Sequence, residues 1–179
     1  MGSRALVSAS LLALILTGCG GSGQGQKGPA TVAAEQKPVQ RLPSFRLQYA
    51  RGGPFSSEGL RGKVVLLNYW ATWCKPCERE MPGLQEIQDR YEGQGVVVVG
   101  IAMDADAAAV AAFAKKWKIR FPLLMGTTEV QEELGLLGIP STFLVDRQGV
   151  IRRTIIGFEY EETVDGFLRE ILQEPPVER

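Results

Sequence analysis

The sequence of 179 residues contains no histidine. That excludes His-based nucleophile triads, haem ligation by imidazole and most zinc and copper sites. Neither sign of charge is in excess, with 20 Lys+Arg against 20 Asp+Glu. No basic surplus can neutralise a nucleic-acid backbone, so nucleic acid is not an expected partner. Also missing is an apolar run long enough to span a bilayer comfortably. The run Ala5–Leu16 has only twelve residues, a length that fits a signal-peptide core. Cysteine is scarce, with three residues. At 45% hydrophobic and 22% charged the composition is that of a globular protein, and the length suits one domain with a tail.

The N-terminal end reads as a targeting segment outside the fold. Arg4 precedes the apolar run, and Leu16-Thr17-Gly18-Cys19 closes it. This tetrapeptide resembles the bacterial lipoprotein signal, in which cleavage removes residues 1–18 and leaves the Cys19 thiol carrying a diacylglyceryl group. The competing reading is an uncleaved anchor with an incidental cysteine. Residues 19–41 are expected to form a flexible membrane tether. Their stretch Gly20–Gln40 has no aromatic residue and too little apolar surface to offset its ordering entropy. Twenty-one such residues reach roughly 25 Å. Gly20 after the cysteine leans towards the outer membrane where a cell has two. A folded domain over 42–173 follows. Pro175-Pro176 ends the last helix and leaves 174–179 as a tail.

Strand and helix patterns alternate through the folded part. Phe45–Leu47 and the segment near Phe55 suggest a hairpin around Gly52-Gly53-Pro54. Val64–Trp70 and Val96–Ala102 are nearly continuous β-forming apolar runs, as expected of central strands covered on both faces. Lys75–Tyr91 is helical in pattern, with Leu84, Ile87 and Tyr91 on one face and Pro82 inside. Asp104 or Asp106 caps a second helix ending near Lys118, with Val110, Phe113 and Trp117 in one stripe. Pro122–Met125 reads as a strand and Glu129–Leu134 as a short helix. Thr142–Asp146 and Val150–Ile156 flank the turn Arg147-Gln148-Gly149. Glu161–Leu172 is an amphipathic helix with Val164, Phe167, Leu168 and Ile171 inward. The fold class is α/β, a mixed sheet with helices on both faces.

The chemistry sits in Trp73-Cys74-Lys75-Pro76-Cys77, which opens a helix directly after a buried strand. The spacing allows a small-ring disulfide. The helix N-terminus offers free N–H groups and partial positive charge to the first sulfur, and Pro76 is tolerated in that first turn. Cys74 is expected to be the exposed thiolate and Cys77 the shielded resolving thiol, with Lys75 as a nearby cation. A pKa lowered from about 8.5 to about 7 raises the thiolate fraction at neutral pH from a few per cent to about half. Three other chemistries compete. A structural zinc site needs four ligands, and only two thiols remain once Cys19 is lipidated. An inert disulfide closing four residues would stabilise little. A thiol peroxidase would leave the second cysteine without a task. No motif for a flavin or nicotinamide is present, so no cofactor is expected beyond the cysteine pair.

The stretch Gly62–Cys77, together with Glu78-Arg79-Glu80-Met81-Pro82, Gly138–Asp146, Gly149 and Gly157, resembles thioredoxin-like proteins of the TlpA/ResA type. These are membrane-tethered extracytoplasmic thiol–disulfide oxidoreductases, and the likeness covers roughly residues 42–173. The resemblance implies a thioredoxin-like fold with an N-terminal hairpin and a central helix–strand insertion around Asp106–Lys118. It implies that Pro140 is cis and faces the redox pair, so that Ile139 and Pro140, with Trp73, Lys75 and Pro76, meet substrate. It also makes Glu80 the active-site acid, the alternative being a solvated helix carboxylate like Glu78 and Glu86. Asn68 stands where cytoplasmic relatives carry a buried aspartate, and an amide cannot move protons. Trp73 either walls the site or packs in the core. The implied activity is reduction of protein disulfides. Its electrons would come from a membrane thiol carrier of the DsbD/CcdA kind, and apocytochrome c is one implied substrate. A disulfide oxidant or isomerase, and a non-catalytic docking module using the groove beside Pro140, remain alternatives.

Overall fold

The computed structural model describes residues 40–173. The signal segment, Cys19, most of the tether and the 174–179 tail lie outside the described residues. Seven strands form one mixed sheet in the order β2-β1-β5-β4-β3-β6-β7. They are β1 (Arg46–Tyr49), β2 (Pro54–Ser56), β3 (Val64–Trp70), β4 (Val96–Ala102), β5 (Leu123–Met125), β6 (Ser141–Val145) and β7 (Ile151–Ile156). The helices are α1 (Lys75–Arg90), α2 (Ala107–Trp117), α3 (Thr128–Glu133) and α4 (Glu161–Gln173). A 3-10 turn covers Ser57–Leu60.

The central strands follow from their composition. All seven residues of β3 are buried, because its neighbours β4 (parallel) and β6 (antiparallel) cover both edges and helices or loops cover both faces. The steps β3-α1-β4 and β4-α2-β5 move across the sheet in one direction. Right-handed crossovers therefore put α1 and α2 on the same face. There Met81, Leu84 and Ile87 of α1, Val110 and Phe113 of α2, and Val164, Leu168 and Ile171 of α4 pack against Val64, Leu66 and Trp70. The opposite face is covered more thinly, by Phe45, Leu47, Leu60, Val130 and Leu134 over Val65, Leu67 and Tyr69. The expectation of helices on both faces thus holds, but three of the four helices gather on one.

The structure refines several sequence expectations. Asp106, not Asp104, caps α2, accepting from Ala108 N at 2.8 Å. Asp104 instead accepts the Thr72 amide at 3.0 Å and the Thr72 hydroxyl, which ties the loop before Cys74 to the end of β4. Phe167 is only partly buried and lies beneath the Arg153 guanidinium. Gln40 and Arg41, at the end of the stretch read as tether, are already paired with the fold: Arg41 bridges Val150, and Ile151 N donates to Gln40 O at 2.9 Å. Backbone hydrogen bonding holds Gln40 and Arg41 to the fold, so these two residues do not belong to the expected tether.

Candidate active site

Cys74 and Cys77 form a disulfide with a Cα–Cα distance of 5.2 Å. Cys74 is the N-cap of α1, and the Cys77 amide donates to Cys74 Sγ at 3.2 Å. On reduction that same N–H is placed to stabilise a thiolate, with the helix dipole behind it. The expectation of an exposed Cys74 needs correction. It is 6% exposed, against 1% for Cys77. In the disulfide its sulfur is turned over the helix N-terminus and packs with the apolar cluster that holds Trp70, Ala71 and Met81. The ranking of the two cysteines survives; the degree of exposure does not. Lys75 is not a free cation beside the thiol either. Its ammonium pairs with Glu78 at 2.9 Å, and Lys116 of α2 meets the other Glu78 oxygen at 3.2 Å. Glu78 is therefore an ion-paired carboxylate, held below its ordinary pKa by the hydrogen bonds from Lys75 and Lys116.

Glu80 behaves differently although it lies two residues away. It shares a helix face with Cys77 and is 5% exposed. Asn68 and Thr142 are cross-strand partners on β3 and β6. The Asn68 amide donates to Thr142 Oγ1 at 2.9 Å, and that hydroxyl donates to Glu80 Oε1 at 3.2 Å. Glu80 Oε2 is buried with no hydrogen-bond partner among the described residues. Burial raises the Glu80 pKa to about 7, the Thr142 and Asn68 side chains pull it back, and the charge of Glu159 adds to the rise. A buried carboxyl with one uncommitted oxygen, one turn from Cys77 and balanced near neutral pH, can accept or return a proton there. The sequence pointed to Asn68 and Glu80; Thr142, which links them, passed unnoticed as an ordinary strand residue.

The Ile139–Pro140 peptide bond is cis. Pro140 is buried at the start of β6, its carbonyl taken by Gly157 N at 2.8 Å, and Ile139 packs against the cluster containing both cysteines. Pro76 is exposed beside the disulfide. Trp73 is 67% exposed, which removes core packing as its role. Trp73, Leu137, Ile156 and Tyr160 are large apolar side chains left in solvent. They come from four segments: the loop after β3, the loop before β6, the end of β7 and the loop after it. All four lie at the sheet end where β3 delivers Cys74. Tyr160 packs edge-on against Phe158 at 5.0 Å, and Arg79 of α1 lies over the Phe158 ring at 4.8 Å. The residues after Gly157 were not singled out from the sequence; aromatic side chains in a loop next to a glycine were the available signal.

The AhpC/TSA family model matches residues 38–154. The chain is 34% identical over 133 residues to thiol-disulfide oxidoreductase ResA of Bacillus cereus, covering 74% of this chain and 77% of that one. The chain belongs to this family of thiol–disulfide oxidoreductases. It is also 35% identical over 130 residues to ResA of Geobacillus thermodenitrificans, covering 72% and 75% of the two chains. Among solved structures it resembles a thiol:disulfide interchange protein of the thioredoxin family from Chlorobium tepidum. That match has a TM-score of 0.70 and 31% identity, and covers 76% of this chain and 99% of the other. The oxidoreductase thus has the thioredoxin-like fold that its sequence motifs implied. Among its described residues, no group of side chains could hold a metal ion and no helix is long and apolar enough to cross a membrane.

Proposed function

We propose that this oxidoreductase is an extracytoplasmic, lipid-anchored protein-disulfide reductase. The observation that carries the reading is the Cys74–Cys77 disulfide at a helix N-terminus, rimmed by exposed Trp73, Leu137, Ile156 and Tyr160. Large apolar side chains left in solvent at that end of the sheet suit contact with a polypeptide substrate. Lipidation at Cys19 and a tether ahead of Gln40 would keep the domain at a membrane.

The cycle starts from the dithiol. The Cys74 thiolate attacks one sulfur of a substrate disulfide, that S–S bond breaks, and a substrate thiolate leaves and takes a proton from solvent. Substrate backbone beside the resulting mixed disulfide pairs with the Ile139–Pro140 segment, while Trp73, Lys75 and Pro76 contact its side chains. Cys77 then gives its proton to Glu80 and attacks Cys74 Sγ, releasing the second substrate thiol. Two electrons have passed to the substrate and the enzyme is left as the disulfide. A membrane thiol carrier of the DsbD/CcdA kind would restore the dithiol, and cytochrome c maturation, with apocytochrome c as substrate, is the use the family resemblance favours. A thiol peroxidase would give Cys77 and the apolar rim no comparable task.

Trapping in cells with Cys77→Ala tests the reading. The variant is expected to accumulate mixed disulfides with extracytoplasmic proteins, and Cys74→Ser is expected to abolish both trapping and insulin reduction. Insulin reduction that persists in Cys74→Ser would refute it.

A further inference from the structure

A second site lies at the other end of the sheet. β3 runs seven residues from Val64 to the active-site end, about 20 Å at the usual rise of a strand. At its Val64 end a cavity of about 530 Å³ opens between the 3-10 turn, the segment before β1 and the β6–β7 turn. Arg41, Arg61, Lys63 and Arg147 line it. The side chains of Arg61, Lys63 and Arg147 are exposed and have no ion-pair partner among the described residues, and Arg41 donates only to the Gln148 carbonyl, at 2.7 Å. Two acids share the lining, Glu58 and Asp146. Asp146 is spent internally: its Oδ1 accepts from Gln148 N and Val150 N, and its Oδ2 meets Arg152 at 3.2 Å. Four cations therefore face one uncommitted carboxylate, in a chain whose overall charge is balanced.

The position of Arg41 says what this face meets. The chain enters the fold here, pinned by the Arg41–Val150 bridge and by Leu42 N donating to Gly149 O at 2.9 Å. The segment that leads back to Cys19 therefore starts beside these cations, and a tether reaching roughly 25 Å would keep them within reach of a membrane that holds Cys19. We propose that this basic cavity docks on the anionic phospholipid headgroups of the membrane that holds the chain, turning the disulfide and its apolar rim towards the aqueous space. The proposal rests on the anchored reading above. Juxtamembrane Lys and Arg residues are drawn to anionic leaflets, and three of them together change affinity on the order of 100-fold.

The test uses the mature chain, residues 19–179 with Cys19→Ala, which lacks both the apolar signal run and the acyl group, in co-sedimentation with phosphatidylcholine vesicles with and without phosphatidylglycerol. The expected result is binding that requires phosphatidylglycerol and disappears at high salt. It should also fall by at least about 100-fold in Arg61→Glu/Lys63→Glu/Arg147→Glu, which removes three attractions and adds three repulsions. Hydrogen exchange over 58–63 and 146–149 should slow on the vesicles, while insulin reduction by the triple variant stays at the wild-type rate. Equal binding to both vesicle types, or an unaffected triple variant, would overturn the proposal. Inorganic phosphate that slows the same amides without vesicles would overturn it in favour of a small-anion site. Wild-type chain that fails to sediment with pure phosphatidylcholine would instead defeat the lipid anchor and leave the headgroup result standing.

Discussion

Replacing Glu80 by Gln should change how stability depends on pH before it changes anything else. Gln keeps the shape and can still accept from Thr142, but it cannot ionise. The Glu80 pKa is raised in the fold from 4.5 to about 7, chiefly by burial. The folded state therefore holds this proton over a pH range in which the unfolded chain has released it. Stability from this group is fully present below about pH 4.5, is lost as pH rises towards about 7, and stays lost above that. At 1.36 kcal/mol per pH unit the loss is about 3 kcal/mol. Carboxylates whose pKa the fold lowers, such as Glu78 and Asp165, act in the opposite direction but are common to both proteins. The assay is guanidinium unfolding of the oxidised wild type and Glu80→Gln across this range, read as their difference. The variant should gain on the wild type by about 3 kcal/mol between the acid and alkaline ends. In the same buffers its disulfide exchange should slow and lose the inflection near neutrality, whereas Glu86→Gln, at an exposed position, should alter neither. A pH-independent difference would show that Glu80 ionises as freely as a surface carboxylate, and the proton-transfer role would fall with it.

Other expectations concern the redox pair and the sheet. Lys75 is engaged by Glu78 and there is no histidine to stabilise a thiolate strongly, so the pair should be reducing, with a potential between about −200 and −280 mV. Equilibration against a glutathione series measures it, and a value above about −150 mV would make the protein an oxidant. Gly100 sits in β4 where an added Cβ would fall 2.6 Å from Leu123 Cδ2 and 3.0 Å from Trp70 Nε1. Gly100→Ala should cost about 1–3 kcal/mol by overpacking, seen as a lower denaturation midpoint at constant slope. An unchanged midpoint would mean that this face is looser than its contacts indicate.

Much of this architecture is written in local pattern. The runs Val64–Trp70 and Val96–Ala102 read as central strands, since nearly continuous apolar runs, broken only by Asn68 in one and Gly100 in the other, need cover on both faces, and both strands have those limits. The redox pair was equally legible, because two cysteines at the start of a helix carry their electrostatics with them. Glu78, Glu80 and Glu86 on one helix cannot be told apart in this way. Partners remote in sequence decide between them: Lys116, 38 residues on, claims Glu78, and Thr142, 62 residues on, meets Glu80. The same holds for Trp70 and Trp73, three residues apart, one sealed against Phe113 and the other in solvent, and for the basic end built from Arg41, Arg61, Lys63 and Arg147. The order of residues determined which segments are strands and helices and where the sulfurs lie, because short-range sterics and hydrophobic periodicity act within a few residues. Which carboxyl loses its water, which tryptophan stays wet and which cations gather without partners was decided by tertiary structure, because solvation and charge pairing depend on what the fold brings within a few ångströms.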